Sequence, residues 1–388
     1  MKILKILILL FLVLLINNPL FADYNAINKD FLKFKQNTEK DFLLYKKIID
    51  EEFNIYKRSI LKVWSNAEIS SPKIWVEYTE DYRVKRELNF EKEYIKISIV
   101  NPTGSEIKDK MLSHLEDMLS ETSTTAVKRD QFLRGVEKRL RSSKMDILSS
   151  DKVDSAKVIG DAVTGYKNPN SKQIRKSALD LLKRGKVRRY SSKFKGSNII
   201  SIEIALPKES LKRKASLYVD TVRDFSNQRS LDPSLVFAVI HTESTFNPMA
   251  KSNIPAYGLM QVVPRTAGLD ATKLIFGRQV LLAPSYLYNA QNNIRIGVAY
   301  LAILSKKYLR SIKNPKSRIY CAIAAYNTGS SNVGRAFINK ASMRSAAPVI
   351  NKMTPEEVYQ RLIAKLPQKE TRNYLKKVRR RMKYYKTK

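Results

Sequence analysis

Strand-like texture stops near residue 207, and no run after it alternates as a half-buried strand would. Before that point, Ile74-Trp75-Val76-Glu77-Tyr78, Tyr82-Arg83-Val84 and Tyr94-Ile95-Lys96-Ile97-Ser98-Ile99 are rich in β-branched and aromatic residues and partly alternate, which predicts three strands. Asn198 to Leu206 predicts one more, ended by Pro207. Asp30 to Trp64 is helical by the recurrence of Phe31, Phe34, Phe42, Tyr45, Ile48 and Phe53, and Asp109 to Leu148 returns to a charged helical pattern. Asp151 to Ser197 holds Gly160, Gly165, Pro169, Gly185 and many basic residues, and reads as loop-rich. These segments make an α+β domain over residues 23–206.

From Glu209 onward only helices are expected, over 211–229, 233–244, 264–271, 289–309, 316–326, 333–339, 354–363 and 369–385. Two of the starts have a local cause. Asp232-Pro233 places an N-cap before a proline at the first helical position, and Thr354-Pro355-Glu356-Glu357 repeats that arrangement with acids in the first turn. A length of 388 residues is enough for two domains with a core each, and the second spans 207–388. The basic stretch Lys376 to Lys388 is most simply a solvated helix end.

Charge narrows the partners. The net charge of +36 suits an anionic polymer: nucleic acid, an anionic membrane surface or a carboxylate-bearing cell-wall glycan. A solvated basic surface with no partner is the plainer alternative. The N-terminus selects among these. Lys2 and Lys5 precede the apolar run Ile6 to Ile16, and Ala22 offers a small residue at a cleavage point before Asp23, so residues 1–22 read as a signal peptide. The run is shorter than the roughly 20 residues of a membrane-spanning helix. Export argues against nucleic acid and for the cell wall. Cys321 is the single cysteine, so no intrachain disulfide forms, and it sits in an apolar run as a small hydrophobe. With His114 and His241 the only histidines, no structural zinc set can be assembled.

The chemistry gathers at Glu243. It ends the apolar run Leu235 to Ile240, and at 3.6 residues per turn it shares a helix face with Val236, Val239 and Ile240. A carboxyl on an apolar face is partly desolvated, which favours its neutral form and suits a proton donor. His241 lies about 200° around the helix and cannot partner it. On its own, Glu243 would more simply be a solvated helix-end glutamate. Its neighbourhood argues otherwise. Ser252-Asn253-Ile254-Pro255-Ala256-Tyr257-Gly258 is turn-forming, Gln261 carries an amide able to donate and accept, and Tyr326-Asn327 ends a helix at Gly329.

Glu243-Ser244-x-Phe246-Asn247-Pro248, Gly258-Leu259-Met260-Gln261-Val262-x-Pro264-x-Thr266-Ala267, Asn293-Ile294-Arg295-x-Gly297-x-x-Tyr300-Leu301, Ala325-Tyr326-Asn327-x-Gly329 and Glu370-Thr371-Arg372-x-Tyr374 follow one another in order. Over about residues 210–388 this series resembles the soluble-lytic-transglycosylase (SLT) catalytic domain. The segment before it resembles the N-terminal domain of membrane-bound lytic murein transglycosylase C.

The resemblance implies a mostly α-helical, lysozyme-like catalytic domain that cleaves the β-1,4 bond between N-acetylmuramic acid and N-acetylglucosamine in peptidoglycan, leaving 1,6-anhydro ends. Glu243 would be the single acid/base and Tyr326 the residue that hydrogen-bonds and orients it. Ser252, Met260, Gln261, Asn327 and Glu370 would line the sugar cleft. The substrate's own 6-hydroxyl is the nucleophile, so no second carboxylate, metal or cofactor is implied, unlike most glycosidases. Between Val219 and Arg335 the acids are Asp220, Asp224, Asp232, Glu243 and Asp270, and Asp232 is accounted for as a cap.

Two positions depart from the family pattern. Pro255 stands where glycine is frequent, and no cysteine near Ala22 could carry a lipid. The expected location is the periplasm of a Gram-negative bacterium, with the signal either cleaved or retained and peripheral association with the outer membrane left open. Two rival readings stand beside this one: a goose-type hydrolytic muramidase using Asp270 or another acid to activate water, and a murein-binding scaffold whose acid is idle.

Overall fold

A computed structural model describes residues 19–102, 107–150, 156–191, 196–253 and 255–386, with side chains from residue 39 onward. Most of the expected signal, residues 1–18, lies outside the described residues. The chain is helical from Pro19, where α1 (Pro19–Leu61) begins. Tyr45, Ile48 and Ile49 of α1 are buried at helical spacing.

β1 (Ile74–Thr79), β2 (Val84–Asn89) and β3 (Tyr94–Val100) form an antiparallel meander. The predicted second strand starts where its sequence run ends, because Glu80, Asp81 and Tyr82 take positive φ and make the turn. At the next turn Asn89 Oδ1 accepts from the Glu91 amide at 3.1 Å and the Lys92 amide at 2.8 Å, and Glu93 takes φ 52°. Arg86 at the middle of β2 is 1% exposed, yet it ion-pairs with buried Glu77 and lies 3.5 Å from Glu121.

The chain continues through α2 (Ile107–Ser120), α3 (Ser123–Arg129), α4 (Gln131–Ser142), β4 (Ile147–Leu148), α5 (Gly160–Thr164), α6 (Ser171–Arg184), β5 (Lys186–Ser191) and β6 (Asn198–Ala205). The sheet order is β1-β2-β3-β6-β5. The loop-rich expectation for 151–197 is therefore corrected. Asn170 and Gln173 form a capping box that starts α6, and Lys186–Ser191 pairs with β6 although each of its residues is exposed. An exposed edge strand has no alternating apolar face to betray it.

The second half is helical: α7 (Ser210–Ser216), α8 (Val219–Gln228), α9 (Pro233–Glu243), a π-helical turn (Pro264–Gly268), α10 (Leu269–Phe276), then β7 (Leu281–Leu282), α11 (Pro284–Leu287) and α12 (Ala290–Ile303). A second π-helical turn (Leu304–Tyr308) precedes α13 (Pro315–Thr328), α14 (Ser330–Ile338), α15 (Met343–Ile350), α16 (Pro355–Lys365) and α17 (Lys369–Lys386). The expected helix 211–229 is broken at Leu217 and Tyr218. α15 was hidden from the sequence by Pro348 in its interior; Ser342 caps its start. The strand β7 is a further exception to the all-helical expectation after Glu209.

β7 pairs in parallel with β4, so the two halves share a ladder. Other ties join them: Glu137 accepts from the Ser285 amide at 2.8 Å, and the Lys251 ammonium lies 3.4 Å from the Phe132 ring centre. One continuous hydrophobic core runs from Tyr45 through the sheet to Val378. Among the described residues no helix is long and apolar enough to cross a membrane.

Candidate active site

α9 is the central helix of the second half. Asp232 caps it by accepting from the Ser234 amide at 2.8 Å, with Pro233 at its first turn. Every residue from Ser234 to Ile240 is buried, so the helix has no wet face along that length. Glu243 is its last residue and is half-buried.

The carboxyl of Glu243 is pushed up to about 7, first by burial and then by the charge of Glu370; the Tyr374 hydroxyl and the Lys73 charge act against the shift. A pKa there holds a proton ready for donation near neutrality. Glu243 opens into a groove of about 550 Å3. The helical wall of that groove carries Asn327, Glu370, Asn373, Tyr374 and Lys377. The N-terminal sheet and its flanking turns also line it, through Lys73, Asn89, Glu91, Lys92 and Tyr94.

Three of the residues expected at the site thus share one groove: Glu243, Asn327 and Glu370. Asn327 Oδ1 accepts from the Thr371 hydroxyl at 2.6 Å, which ties α13 to α17 beside the acid. Glu370 is exposed in the first turn of α17.

The others stand elsewhere. Met260 is fully buried with its sulfur against Gly297, where even one added carbon would clash, so it packs the loop from beneath and does not line the groove. The Gln261 amide turns back to donate to the Gly258 carbonyl at 3.0 Å, while its Oε1 is buried without a hydrogen-bond partner. Ser252 is half-buried in the preceding loop, its amide donating to the Ala256 carbonyl at 3.1 Å.

Tyr326 calls for a correction. Its hydroxyl donates to the Met260 carbonyl at 2.8 Å and not to Glu243, although the Glu243 charge and burial both raise its pKa. The phenol that acts on the acid is Tyr374, whose buried hydroxyl pulls the Glu243 value down without the distance and angle of a complete hydrogen bond. The motif Glu370-Thr371-Arg372-x-Tyr374 contains it, but nothing in the sequence assigns it a role at the acid. The usable signal was its place one turn after Glu370, on the same face of α17. Lys73 carried no signal at all, being far away in the chain.

The loop over the helix end is braced on three sides. Ser244 Oγ donates to the Leu259 carbonyl at 2.8 Å, Tyr326 holds the Met260 carbonyl, and Asn293 accepts from the Met260 amide at 2.8 Å. Gly258 takes φ 73°, and a side chain there would also meet Asn293 and the Leu287 carbonyl, so both the backbone and its surroundings require glycine.

His241 contacts Tyr385 through Nδ1 at 3.0 Å and does not line the groove, and burial lowers its pKa to about 3. Asp270, the acid a hydrolytic rival would want, accepts from the Tyr308 hydroxyl at 2.9 Å and does not line the groove. Cys321 is fully buried, with its thiol pKa raised by burial.

The family model of the transglycosylase SLT domain matches residues 220–347, which include Glu243 and Tyr326 but end before Glu370 and Tyr374. Membrane-bound lytic murein transglycosylase C of Photorhabdus laumondii subsp. laumondii is 33% identical over 329 residues, spanning 82% of this chain and 84% of the relative. The chain belongs to the lytic murein transglycosylase C family. The family member of that name from Serratia proteamaculans is likewise 33% identical, over 330 residues, 82% of this chain and 83% of its own length. Among solved structures, the 70 kDa soluble lytic transglycosylase of Escherichia coli aligns over 72% of this chain and 43% of its own at 17% identity. The TM-score of that alignment is 0.36, too low to carry an argument. Family membership extends well beyond the SLT match and takes in much of the N-terminal half, whose sheet walls the groove.

Proposed function

We propose that this chain is a peptidoglycan lytic transglycosylase that cleaves the glycan between N-acetylmuramic acid and N-acetylglucosamine without water. Residues 207–388 form its catalytic domain and residues 23–206 its N-terminal domain. The observation that carries the reading is Glu243: a half-buried carboxyl with its pKa near 7, at the end of a buried helix, opening into a groove of about 550 Å3.

Glu243 gives its proton to the glycosidic oxygen as the C1–O bond breaks, releasing the N-acetylglucosamine hydroxyl. Its carboxylate then takes the proton of the muramoyl 6-hydroxyl as that oxygen bonds to C1, closing the 1,6-anhydro ring. Glu243 ends protonated, so one carboxyl serves both steps. Glu91 also lines the groove but is held by Lys73, which keeps it below the usual carboxylate range. Asn327 and Glu370 are the substrate contacts supported by the groove. Similarity to membrane-bound enzymes named for murein, together with the net positive charge and the export-like N-terminus, supports action in the periplasm on the cell wall.

Mass analysis of the muropeptides released from purified sacculi tests this. Anhydro ends, one water lighter than hydrolysed ends, are expected from the wild type and none from Glu243→Gln. Reducing ends from the wild type would make the enzyme a muramidase, and turnover by Glu243→Gln would end the assignment of the acid.

A further inference from the structure

The turn that ends the catalytic helix also grips the N-terminal sheet. Asn247, fully buried four residues after Glu243, donates its side-chain amide to the Pro72 carbonyl at 3.2 Å. The next residue is Lys73, whose carbonyl accepts from the Phe90 amide at 2.9 Å and so extends the β1–β2 pairing. Its ammonium ion-pairs with Glu91, and Glu91 is itself held by the Asn89 turn. The Lys73 side chain keeps only 21% exposure and lines the groove into which Glu243 opens. A flexible lysine tied at both ends in this way has lost the freedom that usually makes a surface ammonium weak.

The groups facing Glu243 come from three sides. α17 presents Glu370 and Tyr374, α13 presents Tyr326, and the sheet presents Lys73 with Glu91. Lys92 and Lys377 stand exposed at the rim. Of the cations, Lys73 is the one whose charge registers on the Glu243 carboxyl.

We infer that Lys73 is a positioning residue for the reaction: the N-terminal sheet holds its ammonium in the groove that Glu243 lines, where it stabilises the carboxylate formed when Glu243 gives up its proton. The inference rests on the transglycosylase reading above and gives the N-terminal domain a direct part in it. The intermediate state, with Glu243 ionised in a half-buried site, is the one that most needs a nearby positive charge. Lys73 acts through Glu243 and forms no bond to the sugar.

The test is the pH dependence of initial sacculus solubilisation by the full chain. Activity requires protonated Glu243, so the wild-type rate falls as pH rises through about 7. Lys73→Met moves that limb up by about half a pH unit, the scale for one charge acting across a partly wet groove, and lowers the rate below it several-fold. Lys73→Arg restores the wild-type limb. Glu91→Gln leaves Lys73 without its counter-charge and moves the limb down, which keeps the inference testable should Lys73→Met fold poorly. A limb unmoved in both Lys73→Met and Glu91→Gln, or moved in the same direction by both, overturns it. Glu243→Gln is run alongside. If that variant is inactive while the limbs stay put, only the Lys73 inference falls; if it turns over sacculi, the acid assignment falls with it.

Discussion

The Tyr326 hydroxyl donates to the carbonyl of Met260 at 2.8 Å, joining the end of α13 to the loop that covers the end of α9. This bond fixes the loop, not the acid. Tyr326→Phe is therefore expected to leave a buried carbonyl unpaired, costing about 1 kcal/mol. Urea denaturation should show that loss, and the rate on sacculi should fall as the Met260–Gln261 segment loosens. A variant with unchanged stability would mean that the hydroxyl is not held there.

The carboxyl of Glu243 binds its proton more tightly in the fold, at about 7, than in the unfolded chain, at about 4.5. Its contribution to stability is thus fully present below 4.5 and is lost as pH rises to 7. Glu243→Gln has no such term. It should match the wild type in thermal stability at pH 4 and exceed it by about 2 kcal/mol at pH 8, after discounting for groove water. Equal melting curves at both pH values would refute the raised proton affinity.

Tyr374 and Glu370 push the acid in opposite directions. Removing the hydroxyl in Tyr374→Phe should shift the alkaline limb of activity to higher pH, and removing the negative charge in Glu370→Gln should shift it lower. Both shifts should be at most about one unit, given how open the groove is. The paired rate profiles are the check, since general damage to the fold would not separate the two signs.

Asn293 is a buried bracket: its side chain donates to the Tyr257 carbonyl at 2.8 Å and the Leu287 carbonyl at 2.9 Å, and accepts from the Met260 amide at 2.8 Å. Asn293→Ala leaves the Met260 amide and the Leu287 carbonyl without these bonds and takes one of two partners from the Tyr257 carbonyl, and should destabilise the chain by about 3 kcal/mol. Denaturant unfolding reads this directly, and a loss under about 1 kcal/mol would show that water replaces the side chain.

With a net charge of +36, the enzyme should hold to wall carboxylates largely through long-range attraction. Cosedimentation with sacculi is expected to weaken steadily from low to high salt. Binding that ignores salt would place the affinity in the groove instead.

Much of the scaffold was legible because local patterns decide it. The apolar run before Glu243 could only be a buried helix once Asp232-Pro233 marked its start, and the β-branched runs from Ile74 to Ile99 paired as neighbours in a meander. What stayed hidden had no local pattern. β5 is exposed on both faces, α15 contains Pro348, and β7 is two residues long and exists because β4 is beside it. The site divides the same way. Asn327 and Glu370 were found from motif order and do line the groove, whereas Met260 belongs to the same motifs and lies under the loop.

By itself the sequence singled out the candidate acid, because one carboxyl at the end of an apolar helix is a property of neighbouring residues and their spacing. Only the tertiary structure decided what that acid feels. Lys73, Tyr374 and Glu370 reach Glu243 from distant parts of the chain, and their effect depends on the directions and distances set by packing. Electrostatic influence falls off with separation in space and is blind to separation along the chain.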